Sequence, residues 1–302
     1  MALTVYNIKK WYRMLTGTSF EHVHQGVGRC FSTDHISGYY NDMTEKITMT
    51  KDFGEDGLPV LKVDDGSIIY FPIAIFQYGL GAYDTFLLQK DSDMRQLMLK
   101  CADWAVTNQQ KDGGWSNFFY ENPENPYSSM AQGEGVSLVL RAYQETSEEK
   151  YAEAAHRAIN FMLHPIENGG ATEYRGNEVF LHEFTDKPVV LNGWIFSVFG
   201  LFDYCLTFAQ PEVNKILERT IQTMANHLGD YDNGYWSMYN CEKMITSPFY
   251  HSLHIAQMDA MYQISGMEVF RETKERWEKY QKSRLNRTRS FVKKAMQKIM
   301  ER

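Results

Sequence analysis

Three stretches of the chain carry polar side chains where a helix pattern would prefer apolar ones. Tyr127-Ser-Ser-Met-Ala-Gln-Gly-Glu-Gly135 places Gln132 and Glu134 in the first turns of a helix. His182-Glu-Phe184, followed by Val190-Leu-Asn-Gly-Trp194, sets Glu183 and Asn192 about a helix start. Tyr250-His-Ser-Leu-His254 is preceded by Tyr239-Asn-Cys-Glu-Lys243. Tyr250 and His254 are spaced i and i+4, so they share one helix face. A carboxylate with tyrosines suits proton transfer at a carbon acid beside a carbonyl or carboxylate. A base takes the proton on one face, and inversion needs an acid on the other. Tyrosine, with an unperturbed pKa of about 10, serves as either once neighbours tune it. Further donors must hold the enolate-like charge that develops. Each residue also has a plainer reading. Glu134 complements a helix N-terminus, Glu183 is a solvated loop carboxylate, and the histidines are hydrogen-bonded interior residues. His251 and His254 form an HxxH pair, but spacing positions no further ligand, so no metal site follows.

The elements that must hold these residues are helices in pairs. Pro72 is placed to open a helix to about Leu88 that is apolar nearly all round, hence inner and buried. Asp91 or Ser92 then caps a segment with Met94, Leu97, Met98, Cys101, Trp104 and Ala105 on one face, the spacing of an amphipathic helix. It ends at Asp112-Gly-Gly-Trp115. The cycle repeats. Ser129 and Gln132 match a capping box, and Ser147 opens the partner helix, which ends before Glu167-Asn-Gly-Gly170. Pro188 precedes an apolar helix and Pro211 its partner, which ends before Asp232-Asn-Gly234. Ser247-Pro248 caps another helix, ending before Gly266. Such hairpins cannot bury their inner helices alone and are expected to close into an α/α toroid. The expected divisions are 1–66, a mixed region with strands at Lys46–Thr50 and Val60–Val63; 67–270, the α/α barrel; and 271–302, a basic helix.

Composition narrows the function classes. The chain has 302 residues, 43% hydrophobic and 23% charged, as a folded globular protein does. Aromatics reach 14%, and rings that stack on a sugar face while offering an OH or NH suit carbohydrate. A net charge of −7 excludes nucleic-acid binding by charge alone. The segment Lys279–Arg302 is the exception, with many Lys and Arg and Glu301 as its acid. It reads as a solvated terminal helix or as a contact for an anionic membrane or polymer. Four separated cysteines give no disulfide framework. Lys9, Lys10 and Arg13 interrupt any apolar leader, and Val189–Phe202 is too short to span a bilayer. The chain is expected to be cytoplasmic, touching a membrane at most.

The Tyr127–Tyr143 segment resembles the YSAMAQG…RAY segment of the D-glucuronyl C5-epimerases of heparan sulfate and heparosan. Pro72-Ile-Ala-Ile-Phe-Gln-Tyr-Gly-Leu80, Glu183 with Val190-Leu-Asn-Gly193, Gly200-Leu-Phe-Asp203 and Tyr250-His-Ser-Leu-His-Ile255 match further family segments in order. The resemblance implies an α/α barrel that removes and returns the C5 proton of glucuronate within a polymer, giving iduronate, without a redox cofactor. It implies Glu183 and Tyr250 as catalytic and Tyr239 as a second site tyrosine. It implies Asn192 as substrate-binding and, more loosely, Tyr78 and Tyr40 (or Tyr39). Lys243, beside the position of a family arginine, and Gln132 and His254, from the polar stretches above, are further candidate substrate contacts. The expected partner is an anionic uronate polysaccharide, and a homodimer is allowed. Two positions depart from the family pattern. Phe184 stands where the family has tyrosine, and Glu242 where it has an arginine that holds the substrate carboxylate, with Lys243 beside it. The alternatives are a uronate lyase, a hydrolase or other carbohydrate-active α/α-toroid enzyme, and a non-catalytic glycan-binding or assembly protein. Gln109-Gln-Lys-Asp-Gly-Gly-Trp115 also fits the turn of a terpene-cyclase toroid, but without that class's aspartate motifs.

Overall fold

Pro72, Pro211 and Pro248 each open a helix at the position where a missing N–H costs nothing. The computed structural model describes residues 23–63 and 66–300; Lys9, Lys10 and Arg13 lie outside these. Four inner helices, α2 (Pro72–Gln89), α4 (Ser129–Thr146), α6 (Leu191–Thr207) and α8 (Pro248–Ser265), alternate with four outer ones. The outer helices are α3 (Ser92–Asn108), α5 (Glu149–Met162), α7 (Pro211–His227) and α9 (Glu268–Lys282). Each inner helix packs on the outer helix that follows it, and the inner helices pack on one another in the order α2, α4, α6, α8. The expected mainly α architecture of paired helices is therefore the one observed. In α4, every residue from Ser129 to Ala142 is buried. In α5, burial falls on one side, Tyr151, Ala152, Ala154, Ala155, Ala158, Ile159, Phe161 and Met162, as the 3.6-residue period requires.

Three inner helices stop in the same way. Lys90, Ser147 and Gly266 adopt left-handed φ angles of 59°, 59° and 67°, and each N–H bonds back to a carbonyl of the last turn. The Gly-rich turns follow the outer helices instead. Because hairpin partners run antiparallel, those turns lie at the end where the inner helices begin. The α4–α6 crossing is close enough to exclude side chains. A Cβ on Gly133 would lie 2.6 Å from the Phe196 carbonyl oxygen, and one on Gly200 would lie 2.5 Å from the Gly133 carbonyl carbon.

A buried clamp fastens the N-terminal segment to this array. Arg141 of α4 and Asp203 of α6 pair at 2.6 Å with both side chains fully buried. The Tyr40 hydroxyl donates to Asp203 at 2.7 Å, and Arg141 donates to the Gly38 carbonyl at 2.9 Å. The Tyr39 N–H donates to Asp84 of α2 at 2.8 Å.

Several local expectations are corrected. The strand expected at Lys46–Thr50 is a helix, α1 (Thr44–Met49). Asp42 accepts from the Thr44 N–H and hydroxyl, and α1 packs on α2, which overrides the β-branched composition. Strand β1 (Leu61–Lys62) is present and pairs antiparallel with β2 (Ile68–Ile69). Ser128, not Ser129, caps α4. An unforeseen hairpin, β3 (Thr172–Arg175) with β4 (Glu178–Leu181), precedes α6. The basic terminus is a helix of its own, α10 (Arg284–Met300), separated from α9 at Ser283.

Candidate functional site

Strand β4 delivers Glu183. The strand is fixed to α7 through the Val179 N–H, which donates to Thr223 at 3.1 Å, and through the Val179 carbonyl, which accepts from Thr220 at 3.0 Å. The Ser129 N–H then donates to the His182 carbonyl at 2.9 Å, tying the strand exit to the start of α4. Glu183 is thereby pressed against the first turn of α6. A Cβ on Gly193 would lie 2.6 Å from the Glu183 Cβ, so only glycine leaves room there. The Glu183 carboxyl is buried, and its Oε2 has no hydrogen-bond partner. Burial pushes it up to about 8, against the opposing pull of Lys187 and of a hydrogen bond from Tyr239.

Tyr239 belongs to a narrow loop hung on the same helix start. The Leu191 N–H donates to the Tyr239 carbonyl at 3.1 Å, and the Tyr239 N–H to the Met244 carbonyl at 2.6 Å. Burial, then the Glu183 charge, hold the Tyr239 hydroxyl well above its usual range. The Tyr239 ring meets the Tyr250 ring edge-on, with centroids 5.2 Å apart. Asn192 is buried with its Oδ1 unpartnered, and its main-chain carbonyl accepts from Gln257 of α8 at 3.2 Å. Glu183, Asn192, Tyr239 and Tyr250 thus gather where α6 and α8 begin.

A second carboxyl joins them from α4. Glu134 is fully buried; its Oε1 accepts from Gln77 of α2 at 2.9 Å, and its Oε2 has no partner. Burial pushes it up to about 8, with the Glu183 charge raising it further. The sequence reading noted Glu134 as a helix-start carboxylate without giving it a place in the site, and it passed over Gln77. Their signal was the same as that of Gln132: polar groups inside helices that are otherwise apolar all round.

The remaining candidates stand apart. Gln132 is spent on the main chain, accepting from the Trp115 N–H at 2.9 Å and donating to the Trp115 and Ser128 carbonyls at 3.0 Å. Tyr78 packs on Phe53, one residue's rotation away from Gln77. Tyr40 sits in the buried clamp, its hydroxyl on Asp203, about three turns along α6 from Asn192. His254 bonds Ser237 at 3.2 Å, with Nε2 unpartnered, and burial pushes it down to about 3, so it is neutral. His251 lies between Ser237 and the Trp277 carbonyl and stacks on Trp236 at 3.7 Å. Lys243 is exposed at the loop tip with φ 69°. Among the described residues, no group of three His, Cys, Asp or Glu side chains is arranged to hold a metal.

The two departing positions have clear surroundings. Phe184 stacks on Phe118 at 4.4 Å, and the Lys187 ammonium lies 4.3 Å over its face. Glu242 lines a cleft of about 520 Å³ together with Arg175, His182, Lys187 and His227. Lys187 is therefore a cation that both faces the cleft and acts on Glu183.

The chain is 28% identical over 206 residues to the D-glucuronyl C5-epimerase of Caenorhabditis elegans, covering 58% of this chain and 33% of that protein. It is 25% identical over 155 residues to the uncharacterized protein MJ1128 of Methanocaldococcus jannaschii, covering 49% of this chain and 50% of that one. The chain thus spans a third to a half of these relatives. Similar solved structures include the cellobiose 2-epimerase of Spirochaeta thermophila, with TM-score 0.49 and 11% identity, covering 89% and 65% of the two chains. The unsaturated glucuronyl hydrolase of Bacillus sp. GL1 gives TM-score 0.47 and 16% identity, covering 68% and 61%. A family model described as the D-glucuronyl C5-epimerase C-terminus matches residues 109–279. That match covers more than half of the chain and includes Glu134, Glu183, Asn192, Tyr239 and Tyr250, and the chain belongs to this epimerase family.

Proposed function

We propose that the protein epimerises a uronate residue of an anionic polysaccharide at C5, converting glucuronate to iduronate by proton removal and return. The observation that carries this reading is the contact series from Glu183 through Tyr239 to Tyr250. Glu183 is a buried carboxyl with one free oxygen, and burial makes its ionised form a stronger base than an exposed glutamate. It takes the C5 proton, and the electron pair of that bond moves into the adjacent substrate carboxylate as an enediolate. Tyr250 returns a proton to the opposite face. Tyr239, touching both, passes the proton that resets the pair. Lys187 supplies the positive charge that Glu242 does not, opposite the developing enediolate. The unpartnered Asn192 Oδ1 accepts from a substrate hydroxyl.

The test is incubation with heparosan in D2O, following deuterium at C5 by NMR. Wild type incorporates label, and Glu183→Gln loses roughly 10²- to 10⁴-fold in rate, the range of a general base. Absence of exchange across a panel of uronate polymers would overturn the reading. An unsaturated product absorbing in the near ultraviolet would replace it with a lyase, which shares the first step.

A further inference from the structure

Helix α10 lies beyond the family match, which ends at residue 279, and the proposed reaction gives it no task. It carries no Asp or Glu, and it bears Arg284, Arg287, Arg289, Lys293, Lys294 and Lys298. One face is anchored. Gln297 accepts from the Ile245 N–H at 3.0 Å and donates to the Lys243 carbonyl at 3.1 Å, while Ser290 and Lys294 are buried. The opposite face is apolar and open. Leu285 is 76% exposed, Val292 50%, Met296 55% and Met300 79%. At 100° per residue these four fall within about 80° of one line. By the same count Arg289 lies within the stripe and Lys293 at its edge, while the exposed Arg284 lies on a flank and the exposed Arg287 on the far side. Arg289 lies 3.9 Å over the Tyr235 ring, which fixes it on the body of the protein.

We infer that α10 is a docking face for an anionic lipid bilayer, lying flat in the headgroup layer with Leu285, Val292, Met296 and Met300 inserted. A free polyanion would use the basic residues but has no use for the apolar stripe, and a neutral bilayer would use the stripe but not the charge. The occurrence of both on one short, acid-free helix matches an acidic membrane surface. Long basic side chains at the rim of such a stripe reach headgroups while their stems lie along acyl chains. The helix does not cross the bilayer: no described helix is long and apolar enough to do so. Because Gln297 holds the loop that carries Tyr239 and Lys243, docking sets the candidate site at a fixed position relative to the membrane surface.

The test is co-sedimentation of the full chain with vesicles of phosphatidylcholine alone or with phosphatidylserine, beside heparin affinity in the same buffer. Wild type partitions onto the phosphatidylserine vesicles only. The double variant Leu285→Ser/Met296→Ser removes exposed apolar contact without changing charge, and far-UV circular dichroism confirms that it remains folded. It binds vesicles at least about tenfold more weakly with heparin affinity unchanged. The inference is overturned if wild type does not partition, if the double variant partitions equally well, or if heparin alone binds. None of these outcomes bears on C5 exchange.

Discussion

Glu183 and Glu134 keep their protons in the folded protein at pH values where the unfolded chain has lost them. Both are pushed up to about 8 by burial, against about 4.3 for a glutamate in an unfolded chain. The stability each contributes is complete below that lower value and is lost as pH rises through about 8. Glu134→Gln keeps an acceptor for Gln77 and removes the titration. Its melting temperature by calorimetry is expected to exceed wild type by at least about 3 °C at pH 9 and to match it near pH 5. The proposed catalysis runs the other way, because only ionised Glu183 accepts a proton. Exchange at C5 is expected to rise with pH and level off above about 8; a rate independent of pH between 6 and 9 would exclude Glu183 as the base. Phe184 cannot exchange a proton, and its ring is occupied by Phe118 and Lys187. Phe184→Tyr is expected to leave the exchange rate within about threefold of wild type.

At the scale of elements, one glycine decides where the proposed base sits. Gly193→Ala would push a methyl into Glu183, and a displacement of that size costs on the order of 10²-fold in rate. The expected result is a large fall in exchange rate with an unchanged circular dichroism spectrum. Most elements were legible in the sequence because their ends are written in local chemistry: Pro at the first position of α2, α7 and α8, Asp91 capping α3, and Gly266 ending α8. The left-handed stops at Lys90 and Ser147 were not legible, since neither residue type favours that conformation. The helix at Thr44–Met49 was misread as a strand because Ile47 and Thr48 are β-branched, while the cap from Asp42 and the packing on α2 are tertiary facts. For the site, the structure gathers Glu183, Asn192, Tyr239 and Tyr250 where α6 and α8 begin. Gln132, Tyr78 and Tyr40 are engaged instead with main chain, Phe53 and Asp203. Periodicity places a polar residue on a helix but cannot say whether its partner is another main chain, an aromatic ring or an ion pair.

At the scale of the molecule, the Arg141–Asp203 pair joins the N-terminal segment to the helical array. Removing one partner of a fully buried pair leaves the other charged and unsatisfied. Asp203→Ala is expected to cost about 3–5 kcal/mol, read from urea denaturation, whereas a paired surface residue such as Lys215 would cost well under 1 kcal/mol. The residues of the candidate site come from separate hairpins and are assembled only when these have packed, so the activity of Asp203→Ala should fall at the same urea concentration as its tertiary signal. The clamp also imposes an order on biosynthesis. Tyr40 and Asp203 are 163 residues apart in the chain. At ribosomal speeds of about 5–20 residues per second, the segment around Tyr40 emerges roughly 8–30 s before its acceptor exists. During that interval the rings of Tyr39 and Tyr40 lack Phe196 and Phe199, so the nascent chain offers an aromatic segment to chaperones until α6 emerges.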